Sequence, residues 1–130
     1  MGGLLVEEKD NKPVDVNEWK VCTEREPTTQ EMVDLLFSWK VCRHVRSNAI
    51  VVARDGKTLG IGAGQMNRVG SSRIALEAKD DVSGGALASD GFFPFDDTVK
   101  KAASYGIRAI IQPGGSITVS YTHLTLPTKA

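Results

Sequence analysis

The chain has 130 residues, of which 41% are hydrophobic, 25% charged and 6% aromatic, as in ordinary globular domains. This length predicts a single domain, and the composition excludes a disordered or fibrous protein. Sixteen Lys and Arg residues balance sixteen Asp and Glu residues, so the basic excess of a typical nucleic-acid-binding protein is absent. Two cysteines are too few for a disulfide framework, and no apolar stretch reaches the roughly 20 residues that span a membrane. We therefore expect a soluble, cytoplasmic protein.

The first helix is predicted over 29–45, after two short extended segments at 4–6 and 19–22. It begins with a capping box, in which the Thr28 hydroxyl accepts from the amide of Glu31 and the Glu31 side chain reaches back to the amide of Thr28. A wide apolar stripe follows, which predicts that most of the helix is buried. Polar residues recur at every fourth position and are expected on the opposite face: Gln30, Asp34 and Ser38.

A pair of antiparallel strands follows. Residues 49–53 form an uninterrupted apolar run, rich in β-branched side chains, that is typical of a buried strand. Asp55-Gly56 supplies the two positive-φ positions of a tight hairpin turn. The chain returns as a strand over 58–62 and continues into a helix over 68–79.

A strand over 86–89, a helix over 96–105 and a strand over 107–111 form a βαβ unit, which implies parallel strands and a right-handed crossover. Together with the hairpin, this unit predicts an α/β fold with a mixed sheet and flanking helices. The last stretch is rich in threonine and has no helical period. We expect residues 118–130 to be a non-native tail, with a natural strand-like tail as the alternative, and residues 1–117 to form the domain.

Three glycine-rich or polar loops follow predicted strands, at 60–68, 90–97 and 112–117. Ligands of open α/β sheets bind beyond the carboxyl ends of the strands, so we expect the loops to share one site. Glycines in the first loop would let backbone amides approach an anion, and Arg68 and Arg73 could bind a phosphate or carboxylate. A tight strand-to-helix turn with solvated arginines explains this loop equally well.

The second loop contains three phenylalanines around a proline, which suit either the wall of a site for a planar ring or the core beneath the next helix. The sequence lacks the spacing of a zinc site, a P-loop, a dinucleotide fingerprint or a serine-nucleophile elbow. His44, Cys22 and Cys42 are expected to be structural residues. The sequence thus predicts a ligand-binding edge without an evident general base.

Four motifs resemble, in order, the bifunctional purine-biosynthesis family that couples AICAR transformylase to IMP cyclohydrolase. They are DLLFSWKVCRHVRSNAI (34–50), GIGAGQMNR (60–68), LASDGFFPF (87–95) and IIQPGGSI (110–117). The resemblance extends from about residue 2 to residue 117 and implies the C-terminal part of the transformylase domain. It implies a subdomain with a fold similar to cytidine deaminase, incomplete at both ends.

The resemblance implies formyl transfer from the co-substrate 10-formyltetrahydrofolate to the amine of AICAR, in the de novo synthesis of IMP. It implies no zinc, a potassium ion that can bind near Ser47 and Asp90, and a homodimer whose sites draw on both subunits. The family's catalytic lysine–histidine pair would precede this segment, and an arginine and a histidine of the family would follow it. We therefore expect this chain alone to have no transformylase activity.

The resemblance also implies the roles of individual residues within these motifs. Asn48, in Ser47-Asn48-Ala49, is the candidate catalytic residue, at the carboxamide region and the formyl centre. Asp97 is the candidate folate contact, and Phe92 is expected at the aminoimidazole. Four residues are the candidate substrate-binding residues: Arg68, Phe92, Ser116 and Ile117.

Two alternatives remain. The first is a non-catalytic α/β module whose loops bind a small anionic ligand, and a Lys-His motif encoded upstream would favour the enzyme over this module. The second is a fragment that does not fold stably, and cooperative thermal unfolding of residues 1–117 would argue against it.

Overall fold

The computed structural model describes residues 16–22, 25–91, 96–113 and 116–119. They form an α/β fold in which helices flank one mixed sheet, which confirms the predicted class. The strands are β1 (Lys20–Val21), β2 (Ile50–Arg54), β3 (Lys57–Gly62), β4 (Ala86–Ser89), β5 (Ala109–Gln112) and β6 (Ser116–Val119). The helices are α1 (Thr29–Cys42), α2 (Arg68–Glu77) and α3 (Asp96–Ser104), and a 3-10 turn (Val16–Glu18) precedes β1. None of these helices is long and apolar enough to cross a membrane.

The strands are arranged in the order β1-β6-β5-β4-β2-β3. β4 and β5 are parallel and are connected through α3, which confirms the predicted βαβ unit. β2 lies between β3 and β4 and pairs antiparallel with both. β6 is antiparallel to β5 and parallel to β1. The sheet is therefore mixed, as the hairpin and the βαβ unit together require.

The hairpin between β2 and β3 turns at the predicted residues. Asp55 (φ 53°) and Gly56 (φ 74°) both occupy the left-handed region, as a two-residue turn that follows the twist of the strands requires. A register shift between Val52 and Ala53 marks a β-bulge, which bends the strand and increases its local twist.

The capping box at the start of α1 is confirmed. The Thr28 hydroxyl accepts from the amide of Glu31 at 3.1 Å, and the Glu31 carboxylate accepts from the amide of Thr28 at 2.9 Å. The helix ends at Cys42, three residues before the predicted end. Tighter bonds close its last turn, because the amides of His44 and Val45 donate to carbonyls three residues earlier.

The polar face predicted for α1 is wrong for two of its three residues. Asp34 and Ser38 are 2% and 0% exposed, whereas Val33 is 52% exposed. The Asp34 carboxylate accepts hydrogen bonds from the backbone amide of Asp55 and from the side chain of Gln30, each at 3.1 Å. The Ser38 hydroxyl donates to a backbone carbonyl of the same helix at 3.0 Å. Because these bonds satisfy their polar groups, both residues can be buried.

Two hydrophobic clusters lie on opposite faces of the sheet. Side chains alternate along β2, so Val51 packs in the cluster under α1, whereas Ile50 and Val52 pack in the cluster formed with α2 and α3. Cys42 belongs to the first cluster and is 1% exposed. The expectation of a structural role for Cys42 is therefore confirmed.

An ion-pair network connects the first turn of α1 to the residue just before β5. Arg25 donates two hydrogen bonds of 3.1 Å to the Glu31 carboxylate, and Nε of Arg108 lies 3.8 Å from the same carboxylate. Arg25 also donates to the carbonyl of Arg108 at 3.3 Å. Glu31 thus caps the helix and holds it against a segment that is distant in sequence.

The last strand continues past the predicted domain boundary. Thr118 and Val119 pair with β5 in the antiparallel register, and Ile117 is 1% exposed in the core. Two residues assigned to the tail therefore take part in the sheet. The origin of residues 118–130 stays a prediction, and residues 120–130, like the extended segment predicted at 4–6, lie outside the described residues.

Candidate functional site

Three segments of the chain meet at one edge of the sheet. Ile50, which begins β2, pairs with Gly62 at the end of β3 and with Ser89 at the end of β4. We call this edge the site edge and define it by residues 46–49, 63–68 and 89–91. It is formed by the start of one strand and the carboxyl ends of its two neighbours.

The third predicted loop begins at the same edge. Ala88 of β4 pairs in parallel with Ile111 of β5, so Gln112, at the end of β5, lies at the same end of the sheet as Ser89. Gln112 in turn pairs with Ser116. For the part of the chain that the structure describes, the three loops therefore start at one edge, as predicted.

Asn48 is held by the loop that precedes α2. Its backbone amide and its side-chain Nδ2 both donate to the carbonyl oxygen of Gln65, at 3.4 Å and 3.0 Å. Its own carbonyl accepts from the hydroxyl of Ser71, and the peptide bond between Ser47 and Asn48 is cis. A side-chain amide has two donor hydrogens and one acceptor oxygen. Among the described residues, Oδ1 and the second Nδ2 hydrogen of Asn48 have no partner, so both are available to bind a ligand.

The loop before α2 is fixed by a left-handed glycine and by a cap. Gly64 has φ 68°, a conformation that costs glycine little, and its amide donates to the carbonyl of Arg46 at 3.1 Å. Asn67 is the N-cap of α2, and its side chain accepts from the amide of Gly70 at 2.7 Å. This cap was available in the sequence as an asparagine directly before the predicted helix.

Two glycines of the first loop serve helix packing rather than ligand approach. A Cβ atom at Gly60 would overlap the carbonyl of Ala75, and one at Gly62 would overlap the carbonyl of Ser71. Both glycines lie within β3, and α2 packs directly on them. The interpretation of these glycines as a cradle for an anion is therefore wrong, because helix backbone occupies that space.

Arg68, the first residue of α2, is paired and partly buried. Its Nη2 donates to Oδ1 of Asp90 at 3.1 Å, and its side chain is 22% exposed. The guanidinium lies directly against Gly91, where any Cβ atom would overlap it. Its Nε is buried and has no acceptor among the described residues. Arg73 lies further along α2, in an exposed ion pair with Glu77 at 3.8 Å.

Asp90 connects the two other segments of the site edge. Its Oδ2 accepts from the hydroxyl of Ser47 at 2.5 Å, and its amide donates to the carbonyl of Ala49 at 3.1 Å. Partial burial raises the pKa of Asp90, but hydrogen bonds from Ser47, the Ala49 backbone and Arg68, with the charge of Arg68, outweigh burial and lower it overall. The ionised carboxylate is therefore a poor general base at neutral pH.

The remaining candidate residues are placed only in part. Phe92 lies outside the described residues, and Asp97 lies in the first turn of α3 and Ser116 in β6, with side chains outside the described part. The side chain of Ile117 is buried in the core, and its carbonyl accepts from the amide of Cys22 at 2.8 Å. The roles of these four residues stay predictions.

The described residues do not form a metal site of His, Cys, Asp and Glu ligands. No three His, Cys, Asp or Glu side chains converge in the described part of the chain, and His44 is exposed. Ser47 and Asp90 are adjacent, as the potassium expectation requires. However, both carboxylate oxygens of Asp90 already accept hydrogen bonds, one of them from an arginine. Each of these oxygens keeps a further lone pair, so a potassium ion near Ser47 and Asp90 stays a prediction.

The chemistry of the site edge is binding and polarisation. An amide donor and acceptor on Asn48 and a partly buried guanidinium on Arg68 can orient a carbonyl, an amine or an anion. Ser47, at the edge, donates its hydroxyl to the carboxylate of Asp90, whose lowered pKa makes it a weak base for activating a nucleophile.

Comparisons with known proteins assign the family. Residues 1–78 match the family model described as AICARFT/IMPCHase bienzyme. Over 118 residues, the chain is 64% identical to the bifunctional purine biosynthesis protein PurH of Synechococcus sp. (strain CC9311) and 63% identical to that of Prochlorococcus marinus (strain MIT 9515). Each match covers 90% of this chain, which spans only 22% and 23% of the length of these relatives. Because the family model covers more than half of the chain, the chain belongs to the AICARFT/IMPCHase bienzyme family.

Proposed function

We propose that this chain is part of a folate-dependent formyltransferase of purine biosynthesis. In this reaction the formyl group of 10-formyltetrahydrofolate passes to the amine of AICAR, and a second domain of the parent enzyme closes the ring to IMP. The observation that carries the proposal is the meeting of Asn48 and Arg68 at one sheet edge. Both residues lie within the part of the chain that matches the family model.

The arrangement suits a reaction that depends on positioning. In the proposed reaction the amine nitrogen attacks the formyl carbon, the carbon–nitrogen bond to the folate breaks, and the amine proton passes to the leaving folate nitrogen. Holding a weak nucleophile at its target contributes much of the rate in such a step. The amide of Asn48 would orient the carboxamide or the formyl oxygen, and Arg68 would bind an anionic group of a substrate.

Proton transfer requires groups outside the described residues. The carboxylate at the site edge is ionised and hydrogen-bonded, and no other base lies within the described part of that edge. The family's lysine–histidine pair would supply this function in the parent enzyme. We therefore propose that the chain by itself binds and orients substrates but does not transfer the formyl group.

The other features of the parent are proposed on the resemblance. They are a cytidine-deaminase-like subdomain, a cytoplasmic homodimer, and AICAR and folate as its substrates, without nucleic acid or membrane partners. Within the site, Phe92 would contact the aminoimidazole and Asp97 the folate, while Ser116 and Ile117 would bind substrate. Since the side chain of Ile117 is buried, its contribution would come from its backbone.

The first prediction tests the reaction with two arginines of the same helix. Tetrahydrofolate release from 10-formyltetrahydrofolate and AICAR is measured for the full-length enzyme that carries this segment and for the chain alone. We expect activity only in the full-length enzyme. Arg68→Ala should reduce kcat/KM roughly 100-fold, the loss typical of a preorganised group at the reacting centre. Arg73→Ala, which removes an exposed ion pair, is the matched control and should change kcat/KM less than about twofold.

Other outcomes would contradict specific parts of the proposal. Absence of formyl transfer by the full-length enzyme would contradict the function, and release above background by the chain alone would contradict its proposed inactivity. Calorimetric binding of inorganic phosphate to the chain alone, abolished by Arg68→Ala, together with an inactive full-length enzyme, would favour the module that binds a small anion.

A further inference from the structure

Asp90 contacts Arg68 and both immediate neighbours of Asn48. Its carboxylate accepts from Arg68 at one oxygen, at 3.1 Å, and from Ser47 at the other. Its backbone amide donates to the carbonyl of Ala49 at 3.1 Å. Ser47 and Ala49 flank Asn48, so the segment that carries Asn48 is held to Asp90 on both sides.

The carboxylate is itself held in place by its neighbours. The Ser89 hydroxyl donates to the carbonyl of Gly91 at 2.6 Å and accepts from the amide of Gly91 at 3.3 Å. This closes a small ring around Asp90 directly at the end of a strand whose residues are buried. The side chain of Asp90 is 17% exposed. A carboxylate that is fixed in this way imposes its geometry on the groups that donate to it.

Gly91 provides the surface on which Arg68 rests. A Cβ atom at this position would overlap Nη2 and Cζ of the guanidinium. The guanidinium of Arg68 therefore lies so close to this backbone that only glycine fits at position 91. Asp90 accepts a hydrogen bond from one end of the guanidinium, and Gly91 packs against the guanidinium itself.

We infer that Asp90 and Gly91 are positioning residues that set the distance and orientation of Arg68 relative to Asn48. The inference rests on the proposed formyl transfer for its kinetic consequence. Neither residue acts on the substrate. Asp90 acts on Arg68 directly and on Asn48 through Ser47 and Ala49, whereas Gly91 acts on Arg68 alone.

The test uses two aspartates of the same chain, each hydrogen-bonded to a serine. Asp90→Asn keeps the shape of the side chain but removes the charge that pairs with Arg68. Asp81→Asn is the matched control, since Asp81 accepts from the hydroxyl and amide of Ser83 in an exposed loop before β4. In the full-length enzyme, Asp90→Asn should reduce kcat/KM roughly 100-fold, as expected when a positioned group moves by about an ångström. Asp81→Asn should leave kcat/KM unchanged.

A second variant separates positioning from general loss of structure. Gly91→Ala displaces the guanidinium but leaves the bonds from Asp90 to the segment of Asn48. We therefore expect Gly91→Ala to raise the KM of the substrate that Arg68 contacts roughly 10-fold, with a smaller change in kcat. Asp90→Asn should lower kcat as well. Thermal unfolding of each variant is measured in parallel, so that kinetic loss is compared at equal folded fraction.

A measurement on the chain alone is independent of activity. In ¹⁵N-labelled protein, the side-chain resonances of Asn48 and the Nε–H of Arg68 report their surroundings. Both should shift in Asp90→Asn, and only that of Arg68 should shift in Gly91→Ala. If the full-length enzyme is active and Asp90→Asn has the same kcat/KM as Asp81→Asn, the inference is wrong but the proposed function stands. Unchanged resonances in both Asp90→Asn and Gly91→Ala would also contradict the inference. An inactive wild-type enzyme would contradict the function, while the resonances still decide the positioning.

Discussion

The two cysteines of the chain are chemically different thiols. Cys42 is 1% exposed in the core, and burial, together with the negative charge of Asp90, raises its pKa to about 12 against the opposing charge of Arg68. Cys22 is half-buried beside β1. Because the thiolate is the reactive form, a raised pKa and a packed environment both protect Cys42.

The difference can be measured with a thiol reagent. At pH 8, Ellman's reagent should modify one thiol of the native chain, and the second should react at least roughly 1,000-fold more slowly until the chain unfolds, since few Cys42 thiols are ionised there. In Cys22→Ser, no thiol should react rapidly in the native protein, and one thiol, that of Cys42, should react in denaturant. Equal rates for the two cysteines in the native chain would contradict the packing of Cys42.

At the residue scale, the resemblance gives Asn48 and Arg68 as candidate site residues and names Asp90 only near a potassium ion. Residue type and spacing around Asp90 do not indicate its contacts with Arg68 and the segment of Asn48. Its role depends on the register of β2 against β4, which brings Ser47 and Ala49 to it. Such a contact between residues 43 positions apart is fixed by strand pairing and not by a local motif.

At the element scale, α1 depends on one carboxylate with three partners. Burial raises the pKa of Glu31, but hydrogen bonds from Arg25 and the Thr28 amide, with the charges of Arg25 and Arg108, outweigh it and lower the pKa overall. A depressed folded-state pKa contributes stability above the unfolded-state value of about 4.3. That contribution is lost as the pH falls through the lower folded-state pKa.

Glu31→Gln tests this contribution. At pH 7 the variant should lose roughly 2 kcal/mol of unfolding free energy, the scale of a hydrogen-bonded charged group. Below about pH 4.3 the difference from wild type should shrink, since the wild-type carboxylate becomes protonated. Urea unfolding between pH 3 and pH 7 measures both quantities, with the exposed Glu26→Gln as control. A difference between Glu31→Gln and wild type that is constant with pH would contradict the charge contribution.

Elements with strong local signals could be predicted, and those decided by packing could not. The capping box, the Asp55-Gly56 turn and the βαβ unit follow from residue type and spacing, and the structure contains all three. The orientation of α1 is different, because Asp34 and Ser38 are buried and satisfy their polar groups, Asp34 in part through the amide of the distant Asp55. Likewise, the glycines of β3 match an anion-binding pattern, but in the structure they allow α2 to pack closely on the strand.

At the scale of the whole molecule, β6 holds β1 to the sheet. It pairs with β1 on one side and β5 on the other, and its Ile117 is 1% exposed. Its Ile117, Thr118 and Val119 are β-branched residues that favour strands, but their threonine-rich surroundings also fit a tail outside the fold. The pairing across the sheet shows that the fold includes them.

Truncation measures what β6 contributes. A chain ending at residue 119 should unfold cooperatively, like the intact chain, because it retains β6. A chain ending at residue 115 should lose the cooperative transition, since removal of an inner strand together with the buried Ile117 costs more than the roughly 2–5 kcal/mol of a single large core side chain. Ile117→Val should cost only about 1 kcal/mol. Circular dichroism melting curves compare the three, and an unchanged transition in the chain ending at 115 would contradict this role.

The central place of β2 has a consequence for the order in which the chain is made. β2 and β3 emerge from the ribosome together, but the other neighbour of β2, β4, follows only after α2 has been synthesised. During that interval the hydrophobic strand Ile50–Arg54 presents an unpaired edge, to which other nascent chains can add. The arrival of β4 closes that edge and, in the same event, brings Asp90 to the segment of Asn48. We therefore expect protection from aggregation and assembly of the candidate site to coincide during biosynthesis.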